Sequence, residues 1–80
     1  MPISELDLHG FTREDALSKV DETVDSLFFQ DEEYQQLKVI TGWGDVLRPA
    51  VQDLLEGHAL IKEIRVEGPI IYATLENMSW

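Results

Sequence analysis

Apolar residues first fall in a loose alternation and then in a wider rhythm. Between Ile3 and Leu8 the apolar members are Ile3, Leu6 and Leu8, close to the two-residue period of a strand, and Gly10 ends the run. From Ala16 the spacing lengthens. Ala16, Leu17, Val20, Val24, Leu27 and Phe28 recur every three or four residues, which predicts a helix over 13–29 with Asp21, Glu22 and Asp25 on its polar side. Thr12 has the form of an N-cap, with Asp15 as its acidic partner three positions on. Leu37 to Ile40 is a short apolar run, the mark of a buried strand, and strand, helix, strand implies a right-handed parallel crossover.

Pro49 lacks an N–H and is harmless only in a first helical turn, so the second helix should begin near Val46 or Leu47. Leu47, Ala50, Val51, Leu54 and Leu55 form its apolar stripe, and Gly57 is its natural stop. Leu60 to Val66 reads as a third strand, with Ile64 and Val66 on one face and Lys62 at its edge. Ile70 to Glu76 reads as a fourth. Only Glu67-Gly68-Pro69 separates them, which is hairpin length, so this pair should be antiparallel. Asp31-Glu32-Glu33 is expected to be a solvated connection, with Tyr34 packed back on the helix end, and Asn77 to Trp80 a tail. The expected fold is α/β: a βαβαββ two-layer sandwich, one four-stranded mixed sheet with two helices, a single domain over 1–80 with its core at about 3–76.

Composition narrows the chemistry. With 44% hydrophobic residues, 80 residues suffice for one small core. The absence of cysteine excludes disulfides, thiolate zinc sites and a cysteine nucleophile. No apolar run approaches the ~20 residues of a membrane span, and no basic-then-apolar leader is present. A cytoplasmic location without a membrane partner is the expectation. The net charge of −10 is unevenly spread. Within 12–33, Glu14, Asp15, Asp21, Glu22, Asp25, Asp31, Glu32 and Glu33 face only Arg13 and Lys19. The helix of 13–29 is therefore an acidic, solvated face, or a dock for a basic protein partner.

Two glycine turns carry the candidate chemistry: Leu6-Asp7-Leu8-His9-Gly10, and Lys38-Val39-Ile40-Thr41-Gly42-Trp43-Gly44-Asp45-Val46-Leu47-Arg48. Ligands of open α/β sheets collect beyond the strand ends, and a turn that opens a helix offers backbone N–H groups to anions. His9 is a candidate general acid or base, because imidazole exchanges protons near neutral pH; otherwise its ring fixes the turn by bonding a carbonyl. Asp7, two residues earlier, would share its face on a strand and orient it, bind a metal or activate water. The plainer reading pairs Asp7 with Lys38 or Arg48. Gly42, Trp43 and Gly44 would cradle a phosphate while the indole stacks on a base, an interaction worth ~1–3 kcal/mol; the alternative is a tight turn with an apolar lid. Arg48 would bridge an anion at the helix start, or else pair with Asp45 or Asp53. Lys62 and Arg65 read as solvated strand residues, and His58 as a charge complement to the end of the second helix.

These motifs together resemble the small MutS-related (Smr) domain family over about residues 5 to 76. The resemblance implies the βαβαββ fold that the family shares with the C-terminal domain of translation initiation factor three. It also implies nicking or cleavage of DNA or RNA, branched or structured, with a divalent metal such as magnesium or manganese in some members. Carried over by position, the implicated residues are Asp7, His9, Thr41, Gly42 and Gly44. The family's second motif commonly opens with His and holds Lys or Arg between its glycines, where this chain has Thr41 and Trp43. Metal-assisted phosphodiester cleavage is the expected activity, with Asp7 on the metal or the water, His9 moving the proton, and Arg48 with the loop amides holding the phosphate. The alternative is a non-catalytic nucleic-acid or protein-interaction module.

Overall fold

The computed structural model describes residues 3–30 and 34–76, the side chains of residues 34 and 76 excepted. Six elements follow one another: β1 (Ile3–Asp7), α1 (Arg13–Phe28), β2 (Tyr34–Ile40), α2 (Leu47–Glu56), β3 (Ile61–Glu67) and β4 (Ile70–Glu76). The sheet order is β1-β2-β4-β3. β1 and β2 run parallel, and β4 is antiparallel to both of its neighbours. This is the expected four-stranded mixed sheet with two helices. The expected connection at 31–33, the packing of Tyr34 and the tail at 77–80 lie outside the described residues.

The helices share one face of the sheet because that is where the alternation places the apolar side chains. Leu8, Leu37, Val39, Ile71, Ala73 and Leu75 from the sheet region meet Ala16, Val20, Val24 and Leu27 of α1 and Val51 and Leu55 of α2 in one buried cluster. Thr12 caps α1 as expected, its hydroxyl accepting the Asp15 N–H at 3.2 Å. Ile3 is the exception among the apolar members of β1. It lies on the opposite, uncovered face with Glu5 and is exposed, because Leu6 and Leu8 belong to the other parity of the strand.

Two departures from the expected elements have identifiable causes. β2 begins three residues earlier than its apolar run, since Gln35 is buried in the ladder and donates through Nε2 to the Leu27 carbonyl. That carbonyl, near the C-terminal end of α1, accepts the Gln30 N–H at 3.1 Å and, besides it, a side chain that hydropathy counts as a loop residue. In β3 the register shifts between Ile61 and Glu63, the signature of a bulge. The extra residue resets the phase. Ile61 and Ile64, three apart, consequently both pack against the core, although a regular strand would send them to opposite faces.

His58 does not simply follow the α2 terminus as a charge complement. Its Nδ1 accepts the Leu60 N–H at 3.2 Å, which places the ring proton on Nε2, 3.1 Å from Asp21 Oδ1 on α1. The imidazole ties the two helical segments together at the end of the sheet away from the two glycine turns.

Candidate functional site

Parallel pairing of β1 with β2 sends both strands out at the same edge, and antiparallel β4 brings the β3–β4 turn to that edge as well. Three connections therefore meet there: 8–12, 41–46 and 68–69. This loop end is the convergence that the two glycine turns require.

The first connection is fixed by its own residues. Leu8 extends the parallel ladder by one bond, its N–H donating to the Ile40 carbonyl at 2.9 Å. The Phe11 N–H then closes a turn onto the Leu8 carbonyl at 3.0 Å, with Gly10 at a φ of 84° in the third position, where glycine is needed. Asp7 Oδ1 accepts the His9 N–H at 2.9 Å. The expected Asp7–His9 partnership thus exists, but between carboxylate and backbone, because the strand ends at Asp7 and His9 has already entered the turn. Glu5, not Asp7, takes Lys38, at 3.4 Å. The His9 side chain is exposed, and among the described residues its ring has no hydrogen-bond partner. The carbonyl-bonded ring weighed as the plainer reading does not occur.

The second connection is held by the β3–β4 turn. Pro69 locks its φ negative, so with Gly68 at 58° the two-residue loop takes the form with glycine first, a type II′ hairpin. The Pro69 carbonyl then accepts the Thr41 N–H at 2.8 Å, the Gly42 N–H at 3.2 Å and the Thr41 hydroxyl at 3.1 Å. Thr41 is buried by these contacts. Gly42 therefore departs from its expected role, since its amide is spent inside the protein and is closed to a phosphate. The N–H groups of Trp43 and Gly44 have no partner among the described residues, and Val46, at the N-cap position before α2, provides no side-chain cap. The open donors lie later in the loop than the first glycine.

Arg48 pairs with neither Asp45 nor Asp53. Its Nη1 donates to the Gly68 carbonyl at 3.4 Å and the residue is half-buried, which leaves most of the guanidinium's donors unassigned. Trp43 is 72% exposed, yet its outer ring rests on the same turn: a Cβ built on Gly68 would stand 2.9 Å from Cη2. Pro69, Gly68 and their two carbonyls organise this loop, and sequence reasoning placed neither residue in the site. The only signal was the Gly-Pro pair itself, a turn with carbonyls and no proline donor.

A metal at Asp7 is not supplied with ligands by this end of the molecule. Among the described residues the one group of three convergent donors is Asp21, Asp25 and His58, within 4.8 Å of one another at the far end. There, coordination through Nε2 would move the ring proton to Nδ1, facing the Leu60 N–H, so the set is better suited to its hydrogen bonds than to a cation. Asp7 offers one carboxylate oxygen beyond its bond to His9, which falls short of a resident site. No helix of the described residues is long and apolar enough to cross a membrane.

Comparison with known proteins agrees with this architecture. The family model described as the Smr domain matches residues 6–69. A protein named Endonuclease MutS2 from Listeria welshimeri is 43% identical over 63 residues, which are 78% of this chain and 8% of that protein. Its namesake from Listeria innocua is 41% identical over 63 residues, with the same coverage. The chain thus spans about one-twelfth of the curated relatives it matches. Among solved structures, the Smr domain of Thermus thermophilus MutS2 superposes with a TM-score of 0.76 at 18% identity, covering 95% of this chain and 99% of that one. The human small-MutS related domain gives 0.70 at 28% identity, covering 90% and 100%.

Proposed function

The chain belongs to the Smr domain family, and from that membership together with the geometry of the loop end we propose that it binds nucleic acid there. The observation that carries the reading is the convergence of three connections on one edge, where the Trp43 and Gly44 amides and most donors of Arg48 have no partner among the described residues and the start of α2 has no side-chain cap. Hydrogen-bond donors of this kind suit phosphate oxygens. Relatedness to proteins named as endonucleases supports the same substrate class. Titration of labelled DNA and RNA oligonucleotides tests it: saturable binding to at least one is expected, and binding to neither overturns the reading.

A second reading, cleavage, is favoured by His9. Its ring is solvent-facing and uncommitted, while the Asp7 carboxylate holds its backbone in place. One positioned imidazole can begin phosphodiester cleavage when the substrate carries its own nucleophile, as RNA does. In that step the 2′ oxygen bonds to phosphorus to give a 2′,3′-cyclic phosphate, His9 accepts the proton of the 2′-hydroxyl, and the bond from phosphorus to the 5′ oxygen breaks, solvent water protonating the departing 5′ oxygen. Asp7 then acts as the residue that positions His9, through the bond from its carboxylate to the His9 N–H.

A further inference from the structure

We propose that the loop end selects unpaired nucleobases, with Trp43 as the stacking platform, in preference to the phosphate backbone of a duplex. The proposal rests on the nucleic-acid reading of this end and narrows it to a substrate class. Trp43, the one tryptophan among the described residues, is 72% exposed and yet seated on Gly68. The missing side chain and φ of 58° at Gly68 leave a flat floor under the outer indole ring, and the rest of the ring faces solvent. Phe11, 39% exposed, lies on the neighbouring connection of the same edge, and Val46, 60% exposed, on the same connection as Trp43. Apolar surface held ready in this way matches a ligand with flat, uncharged faces.

Charge argues for the same ligand by exclusion. The chain positions at this end include Arg13 and Arg48, against Asp7, Glu14, Asp15 and Asp45, while Glu67 is paired with Arg65 at 3.5 Å. Arg48 is partly engaged by the Gly68 carbonyl. A duplex hides its base faces and shows a phosphate for every ~1.7 Å of axis, so proteins that hold it by charge need several cations. This end has a surplus of acids. A strand with splayed bases brings the phosphates less densely and lets stacking supply the affinity.

The test is fluorescence anisotropy with three labelled probes: a short poly-uridine strand, an abasic strand of equal length and a duplex of equal length. The intact strand is expected to bind at least about tenfold more tightly than the duplex, and Trp43→Ala to weaken it by about 5- to 150-fold. Trp43→Phe should retain most of the binding, which separates stacking from a folding defect. On the abasic strand Trp43→Ala should change little, since the base it would stack on is gone. With two cations at most in contact, the log–log salt slope should be about −1.4 or shallower. A duplex bound as tightly as the intact strand, or an abasic strand bound as tightly as either, overturns the base-stacking proposal while leaving the nucleic-acid reading standing. Failure of all three probes to bind removes both.

Discussion

Leu8→Ala is expected to lower the unfolding free energy by about 3–5 kcal/mol, the range for emptying a fully buried leucine site. Leu8 is completely buried and sits between the parallel ladder and the first turn, donating to Ile40 and accepting from Phe11. Loss of its side chain removes apolar contacts with both layers, and the backbone that carries His9 loses its anchor. Small domains hold about 5–15 kcal/mol in total, so the variant should be close to unfolding at moderate temperature. Urea denaturation measures this directly. A loss below about 1 kcal/mol with an unchanged slope would mean that Leu8 is not the keystone of the first connection.

His9→Ala has the largest expected effect on chemistry. Removing a positioned proton carrier typically costs about 10²- to 10⁴-fold in rate, and the expectation is a loss of that size in RNA cleavage with the affinity for the same RNA nearly unchanged. The ring is exposed and makes no described contact, so its removal should leave the melting temperature where it was. That separation of rate from binding and stability is the informative result. Equal cleavage by wild type and His9→Ala would assign the activity elsewhere, or to a contaminant, and leave the chain as a binding module.

Most of the architecture was written in local periodicity. The shift from alternation at Ile3–Leu8 to three- and four-residue spacing at Ala16–Phe28 placed β1 and α1, and Pro49 placed the start of α2 within a residue. Features that depend on contacts between distant residues were not legible. Gln35 belongs to β2 through its pairing with Leu75, and its buried side chain finds the Leu27 carbonyl, neither of which its polarity announces. The bulge after Ile61 changes which residues face inward, and only pairing with β4 reveals it. For the site the division is the same. The turns at Gly10 and Gly42 were readable, both at positive φ, but the closing of the Gly42 amide by Pro69 and the seating of Trp43 on Gly68 join positions more than twenty residues apart.

The residues of the loop end divide their labour differently from the sequence expectation. Asp7 shapes a turn, Gly42 and Thr41 lock one loop to another, and Arg48 is partly held by a carbonyl. The groups left without a hydrogen-bond partner for a nucleic acid to use are narrower: the His9 imidazole, the Trp43 indole, the Trp43 and Gly44 N–H groups and the remaining donors of Arg48. The acidic face of α1 lies on the helical layer; its first turn, with Glu14 and Asp15, reaches the loop end, while Asp21, Glu22 and Asp25 lie farther along the helix. A polyanion is therefore expected to approach along the loop edge, away from Asp21, Glu22 and Asp25, where repulsion is strongest.

Amide chemical-shift mapping during titration with a single-stranded RNA tests that placement most directly. The predicted outcome is a set of saturating shifts confined to residues 9–13, 41–48 and 67–70, with the amides of Trp43 and Gly44 among the largest. Saturating shifts centred on 19–27, or spread over the uncovered face of the sheet with the loop residues unmoved, would contradict the account.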